Sequence, residues 1–266
     1  MKGHTTMKIL LVRHGESQGN VDQAIHTIIP DHEIALSSRG KEQAASTGKI
    51  IKSFYEKTYG DLLKEKPINT GPKDAAQLFE AALKMMAGKG KPKIRLWQSP
   101  YRRTRETAEI IEKSLNGILL DKKEQVLLCE QQFGLFDGIE DDLQKEKFPE
   151  EFNCFQHTKQ HNGKFWARYP MGESAFDTAC RLHQAFGTFH RDSENHGIND
   201  IIVVCHGTVL RLFTMMWLHK SPEWFEKEKS PGNCAIRLLD NNEDCGYIYG
   251  GHRDGKAWEY LGNQYA

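Results

Sequence analysis

In Ile9-Leu10-Leu11-Val12-Arg13-His14-Gly15-Glu16-Ser17-Gln18-Gly19-Asn20, four apolar residues run without interruption and then stop at Arg13-His14-Gly15. A run this short and unbroken suits a strand buried on both faces, as in a parallel sheet flanked by helices. Ligands of open α/β sheets gather just past the carboxyl ends of such strands, where the polar residues of this segment begin. Arg13 brings a permanent positive charge whose fork of donors matches phosphate oxygens. His14 brings a ring nitrogen that titrates near neutrality and can serve as base or nucleophile. Gly15 lets backbone come close to a ligand. An Arg-His pair alone would more often be an ordinary strand end.

Three later segments repeat the arrangement. Ile94-Arg95-Leu96-Trp97-Gln98 reads as a strand. Ser99-Pro100 then opens a helix, with Ser99 as its N-cap, that closes at Asn116-Gly117. Arg102, Arg103 and Arg105 crowd its first turn, where cations oppose the macrodipole and an anion nearby would relieve them. Val126-Leu127-Leu128-Cys129 is a short apolar run ended by Glu130. Ile201-Ile202-Val203-Val204-Cys205 is an unbroken run ended by His206-Gly207. Strands alternating with helices imply an α/β fold, three-layered α/β/α with a mostly parallel central sheet. If the four segments are parallel neighbours, Arg13-His14, Ser99 with Arg103 beyond, Glu130 and His206 meet at one sheet edge. Ala235 to Leu239 and Tyr247 to Tyr249 read as a terminal hairpin around Asn241-Asn242.

No Pro/Gly/Ser-rich linker divides the 266 residues, so a single domain over 1–266 is expected. A helix begins at Gly40 and runs to about Tyr59-Gly60. Residues 61–93 read as an insertion with a helical apolar stripe, Ala75, Leu78, Phe79, Ala82, Leu83 and Met86. Residues 135–170, rich in charge and in aromatics such as Phe136, Phe155 and Tyr169, read as a lid over the site. Ser174-Ala175-Phe176-Asp177 resembles a capping box opening a helix to about His190. His157 and His161 lie four apart, a spacing open to metal on a helix, but no third ligand is evident, so no metal site is expected.

Lys+Arg and Asp+Glu both number 36. That balance argues against nucleic-acid binding, and an anion must be drawn by a local cluster of cations. No apolar run approaches the ~20 residues of a membrane span, and Met1–Met7 carries no apolar signal region. The six cysteines show no CxxC spacing and read as reduced, mostly buried thiols. A cytoplasmic location is the expectation.

The string Leu11-Val12-Arg13-His14-Gly15-Glu16-Ser17-x-x-Asn20 resembles the signature of the histidine phosphatase superfamily, which includes the cofactor-dependent phosphoglycerate mutases. Leu36-Ser37-x-x-Gly40-x-x-Gln43-Ala44 is similar to a second family pattern. Ser99-Pro100-Tyr101-Arg102-Arg103-Thr104-x-x-Thr107-Ala108 is similar to the second arginine motif, whose register places Arg103, or Arg102 one residue away, on phosphate. Glu130-x-x-Phe133-Gly134 resembles the acid motif. The resemblance implies a phosphomonoesterase of the histidine acid phosphatase type. His14 would attack phosphorus and form phosphohistidine, with Arg13, Arg103 and His206 on the phosphoryl oxygens. Glu130 would protonate the leaving alkoxide and then activate water. Asn20 would donate to the phosphate, Glu16 and Ser17 would support the loop, and Glu173 and Ser174 would lie close to the site. No cofactor and no metal are implied. The partner would be a small phosphorylated substrate or a phosphoprotein, and the sequence leaves the oligomeric state open.

Three other readings compete. Cys205-x5-Arg211 has the spacing of cysteine-dependent phosphatases, but the loop glycine falls two after the cysteine instead of three, and Arg13-His14 and Arg103 go unexplained. A phosphoglycerate mutase would share the core, but the paired-arginine segment those enzymes use for the carboxylate is not found between Phe133 and Pro170. A catalytically weak binding or regulatory protein would show a damaged core, and here all the core residues are present.

Overall fold

The computed structural model describes residues 7–63, 92–253 and 256–257. The chain begins with β1 (Lys8–Arg13), the short α1 (Gln18–Val21) and the long α2 (Ser38–Tyr59). Then come β2 (Ile94–Gln98), α3 (Arg102–Leu115), β3 (Leu119–Glu124), α4 (Asp141–Lys147), α5 (Pro149–Asn162) and α6 (Ala175–His196). The last part holds β4 (Asp200–Cys205), α7 (Gly207–Trp217), α8 (Pro222–Lys227), β5 (Ile236–Asp240) and β6 (Glu243–Tyr249). Most of the insertion expected over 61–93 lies outside the described residues.

Six strands form one sheet in the order β3-β2-β4-β1-β5-β6. The pairs β3/β2, β2/β4 and β4/β1 are parallel, whereas β1/β5 and β5/β6 are antiparallel. The expected terminal hairpin is β5 and β6, turning at Asn241 and Asn242, both with positive φ. In β1, alternate residues serve opposite layers. Ile9 and Leu11 join a core with Ile201, Val203, Leu182, Phe189 and Phe213 on the α6/α7 face. Leu10 and Val12 join Ala44, Ile51, Ile111, Ile202 and Val204 on the α2/α3 face. All of these side chains are fully buried, and each of those larger than Ala44 contributes roughly 1.5–3 kcal/mol. This double burial explains the unbroken apolar runs.

Three expectations fail here. Val126–Leu128 is a single 3-10 turn with Val126 exposed, not a strand; the strand is the more polar Leu119–Glu124 at the sheet edge. An edge strand has only one neighbour and tolerates charge, so it lacks the apolar run that marks a central one. The N-cap of α3 is Tyr101, not Ser99. The capping box at Ser174 and Asp177 is formed as expected. The cysteines are all free, but only Cys205 and Cys234 are buried, fewer than expected. No helix among the described residues is long and apolar enough to cross a membrane.

Candidate active site

The register of the central strands sets the site. Arg13 of β1 lies beside Cys205 of β4, and Gln98 of β2 lies beside Val204. His14, His206 and Ser99, each one residue further on, therefore leave the sheet together. The rings of His14 and His206 sit 5.3 Å apart, edge to face. A cavity of about 350 Å³ opens at His14, lined by Arg13, His14, Asn20, Asp31, Arg103 and Glu130 among others; the fully buried His206 packs against His14 without lining it.

His14 is held by its backbone on both sides: its N–H donates to Cys205 O at 2.9 Å and its carbonyl accepts from Cys234 N at 3.1 Å. Its Nδ1 lies 2.7 Å from Gly15 O. A carbonyl can only accept, so Nδ1 carries the proton and Nε2 keeps a lone pair. Burial, then the charges of Arg103 and Arg13, hold the His14 pKa well below that of a free histidine, so the ring stays neutral. The loop around it is bolted to α2: a Cβ on Gly15 would lie 2.4 Å from Gly40 O, and one on Gly40 would lie 2.0 Å from Glu16 O. No side chain fits at either position.

His206 is fully buried, and its pKa is also lowered, first by burial and then by Arg103. Its Nε2 lies 2.9 Å from Ser99 Oγ, and its Nδ1 is buried without a partner among the described residues. Ser99 Oγ also accepts from Tyr101 N at 3.4 Å. The hydroxyl keeps one proton and a second lone pair, which suit either tautomer of the His206 ring. The sequence reads Ser99 both as a helix cap and as a polar strand end at the sheet edge; the structure gives the cap to Tyr101 and sets Ser99 against His206.

Of the two candidate arginines, Arg103 is buried and lines the cavity, while the Arg102 side chain is exposed and pairs with Glu106. Arg103 holds Asp31, through Nη1 at 2.8 Å and Nη2 at 3.2 Å. Arg13 donates through Nη1 to Pro231 O at 2.6 Å, and its Nε is buried without a partner among the described residues.

Glu130 reaches the site from the loop after the 3-10 turn. Its oxygens accept from Gln131 N at 3.0 Å and Thr208 N at 3.4 Å, the latter in the first turn of α7. Crowding by protein raises its pKa, against the opposing pull of these N–H groups and of Arg103 and Arg13. Arg181, which sequence reasoning missed, anchors this loop by donating to Leu127 O at 2.7 Å and Glu130 O at 2.9 Å. Glu173 grips Arg181 through Nε at 2.8 Å and accepts from Gln132 N at 3.0 Å. Glu173 thus acts on the site through Arg181, and Ser174 only caps α6.

Asn20 lines the cavity with its Oδ1 tied to Asn233 Nδ2 at 3.0 Å and Ser17 N at 3.1 Å, which leaves its amide N–H groups for a ligand. Ser17 caps α1, and Glu16 accepts from Ser37 Oγ at 2.7 Å, so both brace the loop. Cys205 is fully buried and its thiol is pushed up by burial, while Arg211 donates to Glu228 O and lies over the Phe225 ring. These two residues do not form a thiolate-arginine loop. The rings of His157 and His161 lie 4.3 Å apart, tilted by 48°, and no metal-binding group of three or more acidic, His or Cys residues occurs among the described residues.

An open α/β sheet with two imidazoles and two guanidinium groups gathered past its central strands defines a protein of the histidine phosphatase class. The model of the histidine phosphatase superfamily, branch 1, matches residues 69–249, and the chain belongs to that superfamily. The match starts beyond Arg13-His14, so it and the first motif point to the family separately. A phosphoglycerate mutase-like protein from Arabidopsis thaliana is 30% identical over 249 residues, covering 90% of this chain and 66% of the relative; the chain thus spans just under two thirds of that relative's length. A broad-range acid phosphatase from Saccharomyces cerevisiae is 25% identical, covering 88% of this chain and 85% of the relative. Among solved structures, YhfR of Bacillus stearothermophilus has the same fold, with a TM-score of 0.60 at 17% identity over 94% of this chain and 99% of that one.

Proposed function

We propose that the chain is a phosphomonoester hydrolase that works through a phosphohistidine on His14. The observation that carries this reading is the pair of imidazoles 5.3 Å apart, with Arg13, Arg103 and Glu130 around one cavity. His14 Nε2 attacks phosphorus in line as the bond to the leaving oxygen breaks. Neutral imidazole suits a dianionic substrate better than an anionic nucleophile would. Arg13, Arg103, His206 Nδ1–H and the Asn20 amide receive the equatorial oxygens, where charge gathers in the transition state. The amino end of α7 adds its dipole to the same anion. Glu130, its pKa raised by its crowded setting, gives its proton to the leaving alkoxide. As carboxylate it then takes a proton from water, which attacks phosphorus, breaks the P–N bond and restores His14. Phe133, Phe136 and Ile139 line the outer cavity, where residues 135–170 act as a lid that shapes specificity.

Steady-state turnover of a phosphomonoester panel tests this reading, together with rapid-quench trapping of acid-labile, protein-bound phosphate. Wild type should turn over p-nitrophenyl phosphate and His14→Ala should lose both turnover and label. Retained turnover in His14→Ala sinks the proposal. Robust interconversion of 3- and 2-phosphoglycerate would move the chain to the mutases.

A further inference from the structure

The cavity continues past the phosphoryl groups to a wall that the chemistry above leaves without a role. His26 stands at its centre, with Nδ1 3.3 Å from Asp31 and 3.7 Å from Asp137. The ring is fixed by backbone on two sides. A Cβ on Gly19 would come within 2.4 Å of its Nε2, and one on Gly138, at φ +67°, within 2.4 Å of its own Cβ. The first loop and the segment after Phe133 thus close on one another across this histidine. Asp31 is spent on Arg103 and His26. Asp137 is not: its side chain is 34% exposed, it lines the cavity, and His26 is its only ion-pair partner among the described residues. It keeps acceptor oxygens for a ligand, with Phe133 and Phe136 lining the same cavity. A ligand belongs there on separate grounds, because His14, only 4% exposed and with its Nδ1 held by Gly15 O, lines the same cavity, and no hydrogen bond ties its Nε2 to another described residue.

A phosphoryl group seated at His14 puts its leaving group against this wall. We propose that Asp137, backed by His26 and Asp31, is a leaving-group subsite that accepts hydrogen bonds from hydroxyls, so that the enzyme takes monophosphates of neutral polyols, sugar phosphates above all. The inference rests on the hydrolase reading. A carboxylate acceptor makes charge-assisted bonds to hydroxyl donors, and an aromatic face suits the C–H side of a sugar ring. A leaving group with its own carboxylate or second phosphate would meet two carboxylates instead, and that like-charge contact discriminates against it. Asp31, held at about 2 by His26 and Arg103 against the upward push of burial, is ionised throughout the useful pH range.

The test is kcat/KM for wild type, Asp137→Ala and Asp137→Asn on glucose 6-phosphate, 3-phosphoglycerate, phosphocholine and p-nitrophenyl phosphate. Wild type should prefer glucose 6-phosphate to 3-phosphoglycerate by at least ~10-fold. Asp137→Ala should lower the ratio of glucose 6-phosphate to p-nitrophenyl phosphate by ~10-fold or more, the loss expected for one charge-assisted bond. Asp137→Asn, which keeps an acceptor but no charge, should narrow the discrimination against 3-phosphoglycerate. Equal losses on all four substrates, wild-type preference for 3-phosphoglycerate, or a larger loss on phosphocholine than on the sugar overturns the subsite. If wild type hydrolyses none of them, the hydrolase reading fails by itself. Calorimetric binding then decides the subsite: tighter binding of glucose 6-phosphate, narrowed in Asp137→Asn, supports it, and equal binding refutes it.

Discussion

Deleting the Ser99 hydroxyl should be felt in both stability and turnover. Ser99 is fully buried, and its Oγ is the only hydrogen-bond partner of either ring nitrogen of His206 among the described residues. Ser99→Ala leaves Nε2 of a fully buried imidazole unpaired, which costs roughly 1–3 kcal/mol of stability. For a chain of this size that is a fall in Tm of roughly 2–6 °C. In the proposed mechanism the hydroxyl also sets the tautomer: donating its proton to Nε2 leaves Nδ1–H to face the phosphoryl oxygen. Without it, the ring can carry its proton on either nitrogen. Losing the bias of one neutral hydrogen bond, about 0.5–1.5 kcal/mol, lowers kcat/KM roughly 2- to 13-fold. Both effects are read from thermal melts and steady-state kinetics on p-nitrophenyl phosphate. A folded Ser99→Ala enzyme with unchanged kcat/KM would refute the claim that this hydroxyl orients His206.

The pH profile of kcat/KM should be bell-shaped. Its acid limb belongs to His14, held below its ordinary value by burial, Arg103 and Arg13, and its alkaline limb to Glu130, raised by burial. Glu130→Gln should remove the alkaline limb and cost ~10²–10⁴-fold on alkyl phosphates, as measured by initial rates across pH. Asp31 titrates at about 2 when folded, against 3.8 for a free side chain, so its contribution to stability is complete above pH 3.8 and is lost as pH falls through 2. Asp31→Asn should therefore cost about 2 kcal/mol at pH 7 and progressively less between pH 3.8 and 2, as urea titrations at several pH values would show. Phe189→Ala, in the core between α6, α7 and the sheet, should cost ~3–5 kcal/mol, seen as a lower urea midpoint.

Elements buried on both sides were the legible ones. β1 and β4 carry no polar residue between their ends because helices cover both faces, and their polar ends announced the site. β3 was missed because an edge strand of sequence Leu-Leu-Asp-Lys-Lys-Glu has no such constraint, and the more apolar Val126–Leu128 took its place in the reading. Residues defined by a motif position, such as Arg103 and Glu130, could be placed from the chain alone. Arg181, Asp31, His26 and Asp137 could not. Their significance comes from contacts across 50 to more than 100 positions, such as Arg181 to Glu130 O or Asp137 to His26, and no local period or spacing encodes those.

β1 has no sheet partner within the first half of the chain: its neighbours are β4 and β5, at Asp200–Cys205 and Ile236–Asp240. At ~5–20 residues per second of synthesis, roughly 10–40 s separate the emergence of His14 from that of the strand it pairs with. Throughout that interval Ile9–Val12 is an unpaired apolar segment, the kind that recruits chaperones or finds another chain's edge. The same long-range pairing predicts slow refolding in vitro. Yield of the recombinant protein should therefore depend on translation speed and chaperone supply more than on the stability of the finished fold.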